Sequence, residues 1–206
     1  MFISSNLFCG SSFRTFLFKN GFDGIALYYC FVRSWGSLCN LFSLMDRSFC
    51  IAPMMRRTDR HFRYLCSLLS KKSILFTEMI HANAINRNEP DRFLNNSGIS
   101  NVTVLQVGGS SPEELKKATL IANEYDYSEI NLNLGCPSSK VQSGNFGAVL
   151  MKDVNLVKKC LTEMIKVSAK EVTVKIRLGV DDSNINEGLD YFIEELSKIG
   201  VNTFYV

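Results

Sequence analysis

From Phe49 onward the chain alternates between two hydrophobic periods, and that alternation predicts its elements. Apolar runs at Phe49–Ala52, Ile74–Ile80, Val102–Val107, Glu129–Leu134, Val172–Arg177 and Thr203–Val206 have the length and the β-branched or aromatic content of strands. Between them lie stretches with apolar residues three and four apart, the helical period. Thr58-Asp59 supplies a cap for a helix carrying Phe62, Leu65, Cys66, Leu68 and Leu69. Ser111-Pro112-Glu113-Glu114 opens another with a cap residue, a proline in the first turn and acids where the helix dipole favours them. Helices are also predicted over Asp153–Val167 and Asn186–Lys198, and the polar stretch from Asn83 to Gly98 reads as a loop around one short helix. Strands alternating with helices at this spacing predict βαβ units and a parallel sheet.

Two architectures accept six such strands: an open doubly wound sheet and part of a (β/α)8 barrel. A dinucleotide-binding sheet needs a glycine-rich turn after its first strand, but Pro53-Met54-Met55 stands there. Polar side chains instead collect where successive strands end: Glu78, Gln106, Asn133 with Cys136, and Lys175 with Arg177. Barrel enzymes assemble their sites from strand ends in this way. The expected fold is therefore an α/β TIM barrel, incomplete, with about six strands. The fourth run is the most informative. Ile130, Leu132 and Leu134 alternate with Asn131 and Asn133, and the run breaks at Gly135-Cys136-Pro137 into a polar loop holding Gly144 and Gly147. A cysteine at the point where a strand enters its loop is placed for chemistry, whereas Cys50, Cys66 and Cys160 read as small buried hydrophobes.

Composition narrows the class without naming a reaction. Hydrophobic residues make up 46% of 206 and charged residues 21%, as in globular proteins. The net charge of +3 permits an anionic partner without requiring one. Seven cysteines without a CxxC pair, and only two histidines (His61 and His81), argue for reduced thiols and against a zinc centre. Residues 1–47 differ in texture, being rich in Phe, Ser and Leu and poor in acids. They read as an extension ahead of a domain spanning residues 48–206. Low acid content with Ser and Arg suggests an organellar transit segment, the short apolar start suggests a secretory signal, and an extension without a fold is the third reading. Arg14, Lys19 and Asp23 interrupt any run approaching the roughly 18 apolar residues of a membrane span.

The residues also carry a family resemblance. IAPMM followed by TDRHFRYL, then FTEMI, LQVGGS, INLNLGCPS, KVQSGNFGAVLM and VTVKIRLGVDD resemble the tRNA-dihydrouridine synthases, most of all their DusA-like branch, from about Phe49 to the end. The resemblance implies an FMN-dependent barrel enzyme that reduces uridine in the D-loop of tRNA with electrons from NADPH, without a metal, as a monomer in the full-length family protein, in the cytoplasm or an organelle. It implies that Pro53, Met54 and Met55 lie against the flavin. Gln106 is expected to bond the flavin ring, and Lys175 to sit beside the flavin's pyrimidine edge. Asn133 falls beside flavin and target base, Cys136 is the proton donor, and Lys140 and Arg177 fall near the uridine or the RNA backbone.

These residue types suit that reduction. Saturating the uracil 5,6 bond takes a hydride at C6 and a proton at C5, and an ordinary thiol, with a pKa of about 8.5, is mostly protonated at neutral pH. The base must leave its stack to be reached. Two departures from the family pattern stand out. Arg56-Arg57 occupy positions where an acid is usual, and the sequence stops at Val206, before the family's His-Ala-Arg-Lys-type segment and last two strands. The expectation is that these 206 residues hold FMN weakly or not at all. A vestigial or binding-only member is the competing reading. A dihydroorotate dehydrogenase-like barrel explains a strand-end lysine but not the cysteine loop.

Overall fold

The computed structural model describes residues 30–32, 46–138, 141, 143–180 and 185–206, with side chains left out for 30–32 and 185–187. In chain order the elements are β1 (Cys30–Val32), β2 (Cys50–Ile51), α1 (Arg60–Leu69), β3 (Ile74–His81), α2 (Ala82–Arg87), α3 (Asp91–Leu94), β4 (Thr103–Gly108), α4 (Pro112–Ala122) and β5 (Glu129–Asn133). A 3-10 turn over Gly147–Lys152 leads into α5 (Val154–Val167), followed by β6 (Glu171–Lys175), α6 (Ile185–Ser197) and β7 (Thr203–Tyr205). All six predicted strands form. The 83–98 region holds two short helices rather than one.

Strands β2 to β7 lie side by side in chain order and pair in parallel, while β1 adds antiparallel to the outer edge of β7. A flat sheet would set β3 and β7 roughly 19 Å apart, at about 4.8 Å per strand. Phe76 of β3 and Tyr205 of β7 instead meet edge to face with ring centroids 4.9 Å apart. The sheet therefore curls, and its concave side is the interior of a barrel. Cys50, Ile74, Phe76, Val104 and Tyr205 form one cluster inside the curl. Leu105, Val107, Ile130, Leu132, Leu134, Val174 and Phe204 face outward and bury against α4, α5 and α6.

Period-2 alternation explains the sorting, because β5 sends its isoleucine and leucines to the helices and its polar residues inward. Local signals set the helix starts: Asp59 accepts from Phe62 N, Ser111 from Glu114 N and Asp153 from Leu156 N. Helix α1 departs from simple amphipathic packing. Arg63, Cys66 and Ser67 are its buried residues, while Leu65, Leu68 and Leu69 are exposed. The inward side of α1 is fixed by the Arg63 guanidinium, which donates to Thr58 O at 2.8 Å.

The N-terminal end of the barrel is closed by charge. Arg47 Nη2 lies 2.7 Å from Glu129 and 2.9 Å from Glu171. Tyr205 donates its hydroxyl to Glu129 at 2.9 Å, and Thr203 donates to Glu171 at 2.6 Å. Burial pushes the Glu129 carboxyl above its usual range against the pull of Arg47. Burial also works against the Arg47 charge, but Glu129, Tyr205 and Glu171 together outweigh it and hold the guanidinium protonated.

Candidate active site

The opposite, C-terminal end of the barrel gathers uncharged amides around one buried amine. β4 presents Gln106, β5 presents Asn131 and Asn133, and β6 presents Thr173 and Lys175 to the same interior, in register. Gln106 Nε2 donates to Asn131 Oδ1 at 2.9 Å, and Asn131 Nδ2 donates to Thr173 Oγ1 at 2.9 Å. Asn133 Nδ2 donates to Gln106 Oε1 at 2.8 Å. Beneath them β3 shifts register between Phe76 and Met79, and the Thr77 hydroxyl accepts the Gln106 backbone N–H at 3.0 Å. Buried amides are costly unless bonded, and this chain of bonds fixes each amide orientation.

The network sets the cysteine loop directly. Asn133 Oδ1 accepts the backbone N–H groups of Gly135 at 3.3 Å and Cys136 at 3.0 Å. Cys136 O in turn accepts from Ala148 N at 3.0 Å, folding the far side of the loop back onto the thiol's own residue. Gly147 sits at that contact with φ +73°, and a Cβ there would lie 2.5 Å from Val141 Cγ1 and 2.7 Å from Cys136 O. Only glycine fits. The Cys136 thiol is half-buried and lies 3.6 Å from Ser138 Oγ. Arg177, exposed at the rim, reaches Gly135 O with Nη1 at 3.3 Å.

Lys175 is 8% exposed. Burial, with a smaller contribution from the Arg177 charge, lowers its amine pKa to about 8. An anion placed beside it would restore the charge. On the neighbouring side, Pro53, Met54 and Met55 belong to a tight turn after β2. Thr58 Oγ1 accepts from Met54 N at 3.0 Å, and Glu78 accepts the N–H of Arg56, whose φ is +60°. Glu78 thus holds a left-handed residue in place. Met55 is 57% exposed on this face.

The structure therefore brings Gln106, Asn133, Cys136 and Lys175 together, with Arg177 at the rim and Pro53, Met54 and Met55 on the adjoining turn. Lys140 lies outside the described residues. Sequence reasoning left Asn131, Thr77 and Thr173 out of the site. The inward phase of β5 already pointed to Asn131, and the polar pair Thr77-Glu78 interrupting an apolar run was the signal for the β3 irregularity. His81, which follows the second predicted strand where RNA could approach, has a structural task. Its Nδ1 accepts Asn83 N at 3.1 Å, capping α2, and its ring meets Phe146 edge to face at 4.8 Å. Burial keeps that imidazole below its ordinary pKa.

A curled parallel sheet with polar side chains and a thiol gathered at the C-terminal strand ends is the arrangement of an incomplete TIM barrel. Residues 50–206 match the sequence model of the family described as Dihydrouridine synthase (Dus), and the chain belongs to that family. It is 45% identical over 156 residues, 76% of its own length and 47% of the relative's, to a tRNA-dihydrouridine(20/20a) synthase of Synechocystis. It is 42% identical over 162 residues, 79% of its own length and 48% of the relative's, to a protein of the same description from Shewanella oneidensis. The chain thus spans about half the length of the curated relatives it matches. Among the described residues, no helix is long and apolar enough to cross a membrane.

Proposed function

We propose that this chain carries the base-facing part of a flavin-dependent site that reduces uridine in tRNA to 5,6-dihydrouridine. One observation carries the reading: a half-buried thiol on a loop whose backbone is held by Asn133, itself tied to Gln106, beside the buried amine of Lys175. The relatives' names supply tRNA as the substrate class.

The donor set fits FMN. Pro53, Met54 and Met55 offer an apolar wall, and the Lys175 amine offers a cation to the flavin's pyrimidine edge. Gln106 spends one donor and one acceptor internally and is fully buried, so the amide network has to open for its remaining donor and acceptor to meet the ring. Held there, FMN would supply hydride chemistry at C6 of the uracil, with NADPH as the electron source. The protein's own task is the proton. Cys136 Sγ–H gives it to C5, and the thiolate left behind regains a proton from solvent by way of the Ser138 hydroxyl. Asn133 fixes the direction from which the thiol approaches and flanks the base. Arg177 holds the RNA at the rim.

The test is a Cys136→Ala protein assayed by single turnover with unmodified tRNA. General-acid groups typically contribute about 10²–10⁴-fold, so dihydrouridine formation should fall by at least about 100-fold while flavin affinity stays within about twofold. Formation at the wild-type rate refutes the proton-donor role.

A further inference from the structure

We propose that a cleft beside the methionine turn is a subsite for a backbone phosphate of the RNA, separate from the place where the base reacts. It lies at the C-terminal face between the start of α1, the irregular part of β3 and α3, and encloses about 280 Å³. That is below the roughly 300–1,000 Å³ of pockets that bury a whole small molecule, and it suits one group of a polymer laid across it. Arg60, His61, Arg63 and Arg92 line it, with Phe93 and Ile80 beneath.

The cleft carries three guanidinium groups, Arg60, Arg63 and Arg92, against two carboxylates, and so keeps a net positive charge. Two carboxylates, Asp59 and Glu78, also line it, but both face backbone: Asp59 accepts Phe62 N, and Glu78 accepts Arg56 N. None of Arg60, Arg63 and Arg92 forms an ion pair with a described carboxylate, whereas Arg47 and Arg87 do. Arg63 is the strongest sign. It is 4% exposed, its Nη1 and Nη2 bond Thr58 O and Asn96 Oδ1, and its buried Nε has no acceptor. Burial lowers its pKa even though Asp59 and Glu78 lie near enough to oppose this. A buried guanidinium without a carboxylate partner is costly, and an anion in the cleft would lower that cost. Arg60 already turns toward the loop through Ser97, and Arg92 stacks 5.7 Å over the Phe93 ring. Both are exposed enough to reach a ligand. Arg56 and Arg57 extend the same positive surface along the adjoining turn.

The inference rests on the tRNA reading above and deepens it. Arginine contacts to phosphate contribute salt-dependent affinity, with about 0.7–0.9 in log–log slope for each phosphate neutralised. We would titrate fluorescent unmodified tRNA with wild-type, Arg60→Ala/Arg92→Ala and Arg87→Ala proteins from about 0.05 to 0.3 M salt. The expected result is binding weakened by about tenfold or more for the double variant, with a slope shallower by about one. Arg87→Ala, which removes an exposed arginine already paired with Glu114, should bind within about twofold of wild type. A single Arg92→Glu change, at an exposed side chain that stacks over Phe93, should weaken binding more than Arg92→Ala. A double variant that binds tRNA with wild-type affinity and slope overturns the phosphate subsite and leaves the tRNA reading standing. A wild-type protein that binds tRNA no better than duplex DNA of equal length defeats the tRNA reading and the subsite with it.

Discussion

The two ends of the barrel interior solve the burial of polar groups in opposite ways. At the N-terminal end, Glu129 and Glu171 are answered by Arg47, Tyr205 and Thr203, and the cluster is closed within the chain. At the C-terminal end, neutral amides satisfy one another and a buried amine has its charge disfavoured. One strand contributes to both, since β5 sends Glu129 to the closed end and Asn133 to the open one. The same inward phase thus yields a stabilising plug at one end and, at the other, a site whose electrostatics improve when an anion arrives. Stability and function are divided along the barrel axis, as the fold's geometry leads one to expect.

The largest expected effect tests the closed end. Arg47→Ala strands the Glu129 carboxylate, which is fully buried, and should cost about 3–5 kcal/mol in urea unfolding at pH 7. Burial already raises the Glu129 pKa, so losing Arg47 raises it further. The folded state then binds that proton more tightly than the unfolded one, and the variant should regain stability as pH falls. A cost below about 1 kcal/mol would mean that the plug contributes little.

Lys175→Met probes the open end with the opposite sign. With the folded amine near 8 and the unfolded one near about 10.4, the unfolded state binds more protons between those values. The wild type therefore carries a penalty that is full below about pH 8 and is relieved as pH rises toward 10. Lys175→Met should stabilise the chain by on the order of 3 kcal/mol at pH 7 and abolish the rise in stability expected of the wild type between pH 8 and 10. Unchanged pH profiles would show that the amine is not disfavoured there.

Gly147→Ala comes next. Its Cβ would meet Val141 and the Cys136 carbonyl at a φ that alanine resists, so a loss of about 2–3 kcal/mol is expected. Altered alkylation kinetics at Cys136 should accompany it, because the same contact holds the cysteine loop. Asn133→Ala should be smaller, about 1–2 kcal/mol, since solvent can reach the Gly135 and Cys136 amides. Here thiol reactivity should change more than the melting temperature does. The reverse order would make Asn133 a stability residue rather than one that sets the loop.

Much of this was legible beforehand at the level of elements. The β5 alternation predicted which side chains face inward, and the cap residues Asp59, Ser111 and Asp153 marked helix starts that the structure retains. The leucines of α1 marked the helix but not its buried side, because helical spacing says that a stripe exists but not which neighbour receives it. Arg47 was invisible as a site residue, being the last residue of a compositionally distinct extension and far in sequence from both of its partners. The arginine cleft was hidden for the same reason. Arg60 and Arg63 look like part of a solvated helix start until α3 brings Arg92 opposite them.

The sequence by itself determined the order of strands and helices, the inward phase of each strand and the chemistry offered at the strand ends, because these follow from local periodicity and residue type. Only the tertiary structure decided how charges were matched. Curling the sheet brought Arg47 across to Glu129 and Glu171, and set Gln106 beneath Asn133. It also left Arg63 buried without a carboxylate. Pairing of groups dozens of residues apart depends on closure in three dimensions, which no local pattern along the chain encodes.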